Sequence, residues 1–158
     1  MIRAYVALGS NLGDPVGTLK AAIESLAALR GSLLKAVSSL YRTAPVGLKH
    51  QPDFINAVVA LDTRLPPADL LQELFAVEAH FGRRRGVKNA PRTLDLDLLL
   101  HGDTVQDDPE LTLPHPRMHE RAFVLAPLAE IAPDIAIPGR GPVAALLAGC
   151  RNQRIHLL

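Results

Sequence analysis

The run Thr93-Leu94-Asp95-Leu96-Asp97-Leu98-Leu99-Leu100 constrains this chain more than any other stretch. Side chains of a strand alternate between two faces, so Leu94, Leu96 and Leu98 share one face and Asp95 and Asp97 the other. Such a strand has to bury leucines on one side while keeping two carboxylates near water or a cation. The carboxylates stand roughly 6.6–6.8 Å apart along the strand, close enough to converge on shared cations. Asp is disfavoured in strands and like charges on one face repel. Oxygen-only ligands favour Mg²⁺ or Mn²⁺ over zinc, and Mg²⁺ takes one or two carboxylates together with substrate phosphates. Taken alone, the pair reads as a solvated strand face.

The segment before it changes that reading. Gly82-Arg83-Arg84-Arg85-Gly86-Val87-Lys88-Asn89-Ala90-Pro91-Arg92 places five cations next to the paired aspartates, between glycines that allow a loop to close. Carboxylates that hold a metal, beside guanidiniums free to move, meet the needs of phosphoryl or diphosphoryl transfer. The bland alternatives are a basic surface loop or a nucleic-acid contact. The formal net charge is only +1, from 17 Lys plus Arg against 16 Asp plus Glu, so no bulk preference for nucleic acid is indicated. There is no GxxxxGK[ST] and no GxGxxG after a strand. Gly9-Ser10-Asn11-Leu12-Gly13 lacks the lysine of a phosphate loop and reads as a tight strand-to-helix turn.

Around these motifs the chain reads as one α+β domain over 1–158, with no repeat or low-complexity linker. Ile2 to Leu8 alternates as a strand. Asp14-Pro15 then predicts an N-cap and first helical position, followed by Val16, Leu19, Ile23 and Leu26 on one face and a stop at Gly31. Strands are predicted over Leu34–Arg42 and Phe54–Thr63. A second helix runs from Pro66-Pro67 to Gly82 with Leu70, Leu74, Val77 and Phe81 inward. With the strand Thr93–Leu100 the order is βαββαβ, the ferredoxin-like order. A mixed C-terminal extension follows, with helical stretches near Arg121–Ile131 and Pro142–Ala148.

Three further features are weighed in turn. Phe54 and Asn56 share a strand face, a stacking plane beside an amide that both donates and accepts, which suits a flat heterocycle; in isolation they read as a core Phe and a structural Asn. His115 and His119 are spaced i,i+4, but Pro114 and Pro116 interrupt the segment and no zinc site is expected. Cys150 reads as a buried apolar residue. No apolar run approaches the ~20 residues of a membrane span, and Met1-Ile2-Arg3-Ala4-Tyr5 does not open a secretory leader, so a cytoplasmic protein is expected.

Gly9-Ser10-Asn11-Leu12-Gly13, Tyr41-Arg42-Thr43, Gln51-Pro52-Asp53-Phe54-Ile55-Asn56 and Pro91-Arg92-Thr93-Leu94-Asp95-Leu96-Asp97 together resemble the 6-hydroxymethyl-7,8-dihydropterin pyrophosphokinases of folate biosynthesis. Pro114-His115-Pro116-Arg117-Met118 and Arg121-Ala122-Phe123-Val124-Leu125-Ala126-Pro127-Leu128 extend the resemblance over nearly the whole chain. The resemblance implies transfer of diphosphate from ATP to the hydroxymethyl group of a reduced pterin, releasing AMP, on a ferredoxin-like α+β fold. It implies two Mg²⁺ ions at Asp95 and Asp97, and the pterin between Phe54 and Phe123 with its edge read by Asn56 and by Thr43, Ala44, Pro45 and Val46. Arg83, Arg85 and Arg92 would meet the phosphates, and Glu78, Leu98, Thr112, His115 and Arg121 would line the ATP side. The implied partners are small molecules, with no nucleic acid or membrane, and the implied state is a monomer. The sequence departs from better-known members in having Val87, Lys88 and Asn89 where a loop Trp can stand, Pro116 where an aromatic can stand, and Phe75 where a polar residue can occur. Two other classes are carried beside this one. They are an RNA-binding module stacking bases on Tyr5 and Phe54, and a Mg²⁺-dependent kinase moving only the γ-phosphate.

Overall fold

The computed structural model describes residues 1–44, 51–82 and 94–158. Two long strands form its centre: β1 (Ile2–Ser10) and, after α1 (Pro15–Ala27), β2 (Ser32–Val37) and β3 (Tyr41–Thr43), the strand β4 (Phe54–Thr63). Then come α2 (Pro67–His80) and β5 (Asp95–His101). The extension contributes the hairpin β6 (Gln106–Asp107) and β7 (Thr112–Leu113), a 3₁₀ turn (Met118–Glu120) and α3 (Ala122–Ile131). The hairpin β8 (Ala136–Ile137) and β9 (Gly141–Pro142), α4 (Val143–Ala148) and β10 (Ile155–Leu157) complete it. β4 pairs β1 and β1 pairs β5, all antiparallel, while β2 and β3 share the outer edge of β4 and β10 pairs β3. Among the described residues no helix is long and apolar enough to cross a membrane.

α1 starts where its residues dictate: the Asp14 carboxylate accepts from the Gly17 N–H at 3.1 Å, and Pro15 occupies the first turn. It ends at Ala27, short of Gly31; that glycine takes φ +64° in the turn into β2, where its carbonyl accepts from Arg64 N–H at 2.7 Å. α2 runs as predicted and stops before Gly82, at φ +89°.

The expected strand Leu34–Arg42 is two strands. At the break the Ser38 side chain enters the ladder, its Oγ accepting from Val58 N–H at 2.9 Å while Ser38 N–H donates to the Val58 carbonyl at 2.9 Å. A hydroxyl thus replaces a backbone acceptor, and the chain steps sideways before pairing with β4 again.

The sheet separates two apolar layers. On the first face Val6, Leu8, Ile55, Ala57, Val59, Leu61, Leu96 and Leu98 pack with Leu19 and Leu26 of α1 and Leu70 and Leu74 of α2. Each leucine buried completely here contributes roughly 1.5–3 kcal/mol. The second face carries Tyr5, Ala7, Val58 and Ala60, covered by Met118, Val124, Leu125 and Leu128 of the extension. Between Tyr5 and Val6 the β5 partner jumps from Leu100 to Leu98, so Leu99 is an extra residue and the inside–outside alternation of β5 changes phase there. Tyr5, weighed as a base-stacking aromatic, is 6% exposed beneath the extension and presents no platform. Cys150 is buried in the same layer, as expected.

Candidate active site

Among the described residues the apolar layer on the second face stops short of one end, and that end gathers polar residues. Cross-strand partners share a face, so Tyr41, Asn56, Gly9 and Asp95 lie in one row across β3, β4, β1 and β5. Two residues along β5, Asp97 faces Ala7, on the same side as Asp95. Asn56 and Asp95 are therefore two strand spacings apart, about 9–10 Å, with only a glycine between them. Asp95 and Asp97 are half-buried; the three leucines that alternate with them are buried in the first layer, as the sequence pattern predicts.

Gly9 leaves little room for a side chain beside its neighbours. A Cβ there would stand 3.3 Å from Asn56 Oδ1 and 4.0 Å from Phe54 Cδ1. Asn56 is buried and its Nδ2 donates to Thr43 Oγ1 at 2.8 Å, which fixes the amide with its oxygen over Gly9. Phe54 opens β4 directly across from Thr43. The segment before it is tied to the β1 turn by Asn11, whose Nδ2 donates to Gln51 Oε1 at 3.1 Å and to the Pro52 carbonyl at 3.3 Å. Ala44 is exposed beyond the end of β3. Pro45, Val46, Arg83, Arg85 and Arg92, and the predicted closing loop, lie outside the described residues.

α3 brings two more predicted residues. The Arg121 guanidinium lies 5.5 Å from the centroid of the Phe123 ring, a cation–π contact at the start of the helix. Phe123 is half-buried against the second-face layer. His115 is held to β5 by its backbone, its N–H donating to the Leu99 carbonyl at 2.9 Å. Burial pushes its pKa down to about 4, helped by Arg121 and Arg117, with Asp95 pulling the other way. The ring is therefore neutral at neutral pH. Its Nδ1 accepts from Arg117 N–H at 3.2 Å, so the proton sits on Nε2, which becomes a hydrogen-bond donor. Thr112, His115 and Pro116 line a cavity of about 280 Å³ together with Gln106 and Arg140.

The structure thus brings Thr43, Phe54, Asn56, Asp95 and Asp97 to one face, puts His115 within electrostatic reach of both Asp95 and Arg121, and places Thr112 beside His115. It does not bring the Glu78 and Leu98 side chains there. Leu98 is buried in the first layer. Glu78 is 1% exposed and accepts from the Leu96 N–H at 2.8 Å, the peptide group between the two aspartates. Sequence reasoning missed Gln106 and Arg140, because the cavity forms between two hairpins whose short strands carry no periodicity. It also missed Glu130, whose place in the last turn of a helix reads as a solvent-facing charge.

Two carboxylates on one face suit a hard divalent cation. Among the described residues no group of three or more His, Cys, Asp or Glu could enclose a metal, so the remaining ligands would be water and phosphate oxygens, which Mg²⁺ accepts and a structural zinc does not. His119 instead approaches Glu120, Nε2 to Oε1 3.5 Å.

Comparison with known proteins gives the family of the chain. Residues 5–133 match the family model described as 7,8-dihydro-6-hydroxymethylpterin-pyrophosphokinase. The chain is 48% identical over 156 residues to a 2-amino-4-hydroxy-6-hydroxymethyldihydropteridine pyrophosphokinase of Pseudomonas aeruginosa, covering 99% of this chain and 96% of that one. It is 44% identical to the protein of the same name from Haemophilus influenzae, over 93% and 92% of the two chains. Its fold is shared with the Plasmodium falciparum HPPK-DHPS crystal structure with pteroate, at TM-score 0.75 and 12% identity, covering 94% of this chain and 44% of that longer one. The chain belongs to the 7,8-dihydro-6-hydroxymethylpterin-pyrophosphokinase family and is an ATP-dependent diphosphotransferase of folate biosynthesis.

Proposed function

We propose that the open end of the second sheet face holds 6-hydroxymethyl-7,8-dihydropterin beside ATP, and that Asp95 and Asp97 hold two Mg²⁺ ions between them. The observation that carries this reading is the row Asn56–Gly9–Asp95: an amide fixed by Thr43, a bare glycine floor and a carboxylate, spaced by about two strand separations. Asn56 and the segment Thr43, Ala44, Pro45 and Val46 read the heterocycle's polar edge, and Phe54 and Phe123 flank its faces. To take that place Phe123 gives up or shares its contact with Arg121. The hydroxymethyl group then points toward Asp95.

Bound Mg²⁺ would lower the pKa of the attacking hydroxyl and neutralise the phosphate oxygens. Asp95 and Asp97 orient those groups so that the hydroxyl stands in line with the β-phosphorus. Arg83, Arg85 and Arg92 stabilise charge on the transferring and departing groups. The ATP side is formed by Thr112, His115 and Arg121, with the neutral His115 donating from Nε2. Leu98 contributes through its main chain. Glu78 acts by holding the Leu96 peptide between the aspartates.

We read the core as ferredoxin-like, a reading supported by the order βαββαβ, with β2 and β3 counted as one interrupted strand, and by the antiparallel arrangement β2-β4-β1-β5. Residues 1–158 act as one domain, as a monomer, in the cytoplasm. The deciding experiment identifies the nucleotide released when the protein is incubated with ATP, Mg²⁺ and the dihydropterin. AMP formed one-for-one with pterin diphosphate supports diphosphate transfer; ADP would establish the simple kinase instead.

A further inference from the structure

Glu130 stands in the last turn of α3, about two helical turns from Phe123 on the same helix, and its carboxylate gathers its hydrogen bonds from the segment between β2 and β3. It accepts from Ser39 N–H at 3.0 and 2.9 Å, from Ser39 Oγ at 2.8 Å and from Tyr41 Oη at 2.7 Å. Partial burial works against its charge, and the bonds from Tyr41 and Ser39 outweigh that, leaving its pKa below the ordinary carboxylate range. Burial, then the bond to Glu130 and its charge, push Tyr41 up to about 12, so the phenol keeps the proton it donates.

The position of this contact matters more than its strength. Ser39 lies in the break between β2 and β3, where backbone pairing with β4 is interrupted. β3 is only three residues long, and two of them bear on Asn56: Tyr41 sits opposite it, and Thr43 supplies the oxygen that holds its amide. At its other end α3 carries Phe123. One carboxylate therefore ties the helix that bears Phe123 to the strand that aims Asn56.

We propose that Glu130 is a positioning residue for the pterin pocket, setting the separation and tilt between the Phe123 wall and the Asn56–Thr43 edge through Ser39 and Tyr41. This inference rests on the pterin placement given above. When Glu130 loses its charge, β3 keeps only its short ladder to β4 and β10, Thr43 drifts against Asn56, and α3 is released at the end that faces β3. The aspartate pair on β5 and the cavity beside His115 belong to other elements; of the residues on the ATP side only Arg121 shares α3, at the end away from Glu130.

The test uses Glu130→Gln, Tyr41→Phe and the double variant. Pterin affinity is measured directly from the ligand's own fluorescence, together with KM for each substrate and thermal melting. Glu130→Gln is expected to weaken pterin binding about tenfold, with KM for ATP changed less than about twofold and kcat falling less than pterin affinity. Tyr41→Phe, which loses a single hydroxyl, gives about a threefold loss. The double variant is no worse than Glu130→Gln alone, as expected of two residues in one contact. Melting that falls while pterin affinity stays at the wild-type value in both single variants overturns the proposal, as does an equal loss of ATP and pterin affinity. Should Glu130→Gln fail to fold, Tyr41→Phe decides alone by the same criteria. Failure of the underlying pterin reading is seen separately, as wild-type protein that does not bind the pterin.

Discussion

The two faces of one sheet have been put to opposite uses by the same strands. On the first, the apolar residues of β1, β4 and β5, among them Val6, Leu8, Ala57, Val59, Leu61, Leu96 and Leu98, form one layer with the leucines of α1 and α2. On the second, the apolar layer stops short: Ala7 and Val58 lie beneath the extension, while Gly9, Asn56, Asp95 and Asp97, on the same face, lie toward its edge. The first face holds the strands flat and fixed so that the second can carry carboxylates and an amide at defined spacing. A half-covered sheet makes stability and chemistry separable by side-chain parity alone, since neighbouring residues on one strand serve different purposes.

If that separation is real, the largest effect comes from the closed face and is purely one of stability. Leu61 is 0% exposed on the inward side of β4. Leu61→Ala removes three carbons from the first layer and is expected to cost about 2–5 kcal/mol, as core truncations of this kind do. Denaturant melts read the loss, and both KM values stay near wild type at temperatures where the variant is folded. A variant that lost substrate affinity in proportion to stability would mean that the two faces are not independent.

The matching change on the open face is Asp97→Asn, one residue from Leu96 and Leu98. It keeps size and removes one charge of the pair. Turnover should fall on the order of 10²-fold or more, taking the roughly 10–100-fold typical of residues that merely support a metal ligand as a floor. Melting should hold or rise slightly without Mg²⁺, because a like-charge repulsion has gone. Near-normal Mg²⁺-dependent AMP release by this variant would reduce the aspartate pair to a solvated strand face.

Much of this division was legible in the sequence because parity is a local property. The alternation in Thr93–Leu100 assigns the two aspartates and three leucines to opposite faces, and Phe54 and Asn56 follow by the same rule. Parity reading stops where the backbone adds a residue. The run Leu98-Leu99-Leu100 carries no mark of the extra position at Leu99, as three leucines satisfy either phase. The break at Ser38 was invisible for another reason. A serine hydroxyl substitutes for a backbone acceptor there, and the residue that completes the turn, Glu130, is 91 positions from Ser39. The cavity beside His115 needs two hairpins with strands of two residues each, too short for any period to show.

A smaller change probes the floor between amide and carboxylate. Gly9→Ala places a methyl 3.3 Å from Asn56 Oδ1, tighter than an ordinary contact, and the amide must yield by a few tenths of an ångström. Because Asn56 is also held by Thr43, the shift is resisted from the other side. Pterin KM should rise roughly threefold to tenfold, a modest share of the losses that misplacement by a full ångström produces. KM for ATP should stay level, and calorimetry of pterin binding checks the affinity without turnover. An unchanged pterin KM would show that the ligand does not use this row.

The smallest expected effect is a pH dependence that belongs to the open end alone. His115 titrates at about 4 in the folded chain, against about 6.5 when unfolded, chiefly because it is buried and secondly because Arg121 is near. Between those two values the unfolded chain binds a proton that the folded chain refuses. Stability contributed by the neutral ring is therefore complete above pH 6.5, declines as pH falls from 6.5 toward 4, and changes no further below that. Glu130 complicates the acid side, since its lowered pKa makes its own contribution fade as pH falls through the folded value. The informative quantity is then a difference: melting temperature against pH for wild type minus that for His115→Gln, which has nothing to titrate. The difference should be flat above pH 6.5 and slope between 6.5 and 4, amounting to a few degrees, since the ring is only partly buried and about 1 kcal/mol moves the melting of a chain this size by roughly 2–4 °C. Apolar contacts of the first layer contribute nothing to such a slope. A difference that is flat throughout would mean that His115 is solvated, and the desolvated donor assigned to the nucleotide side would lose its physical basis.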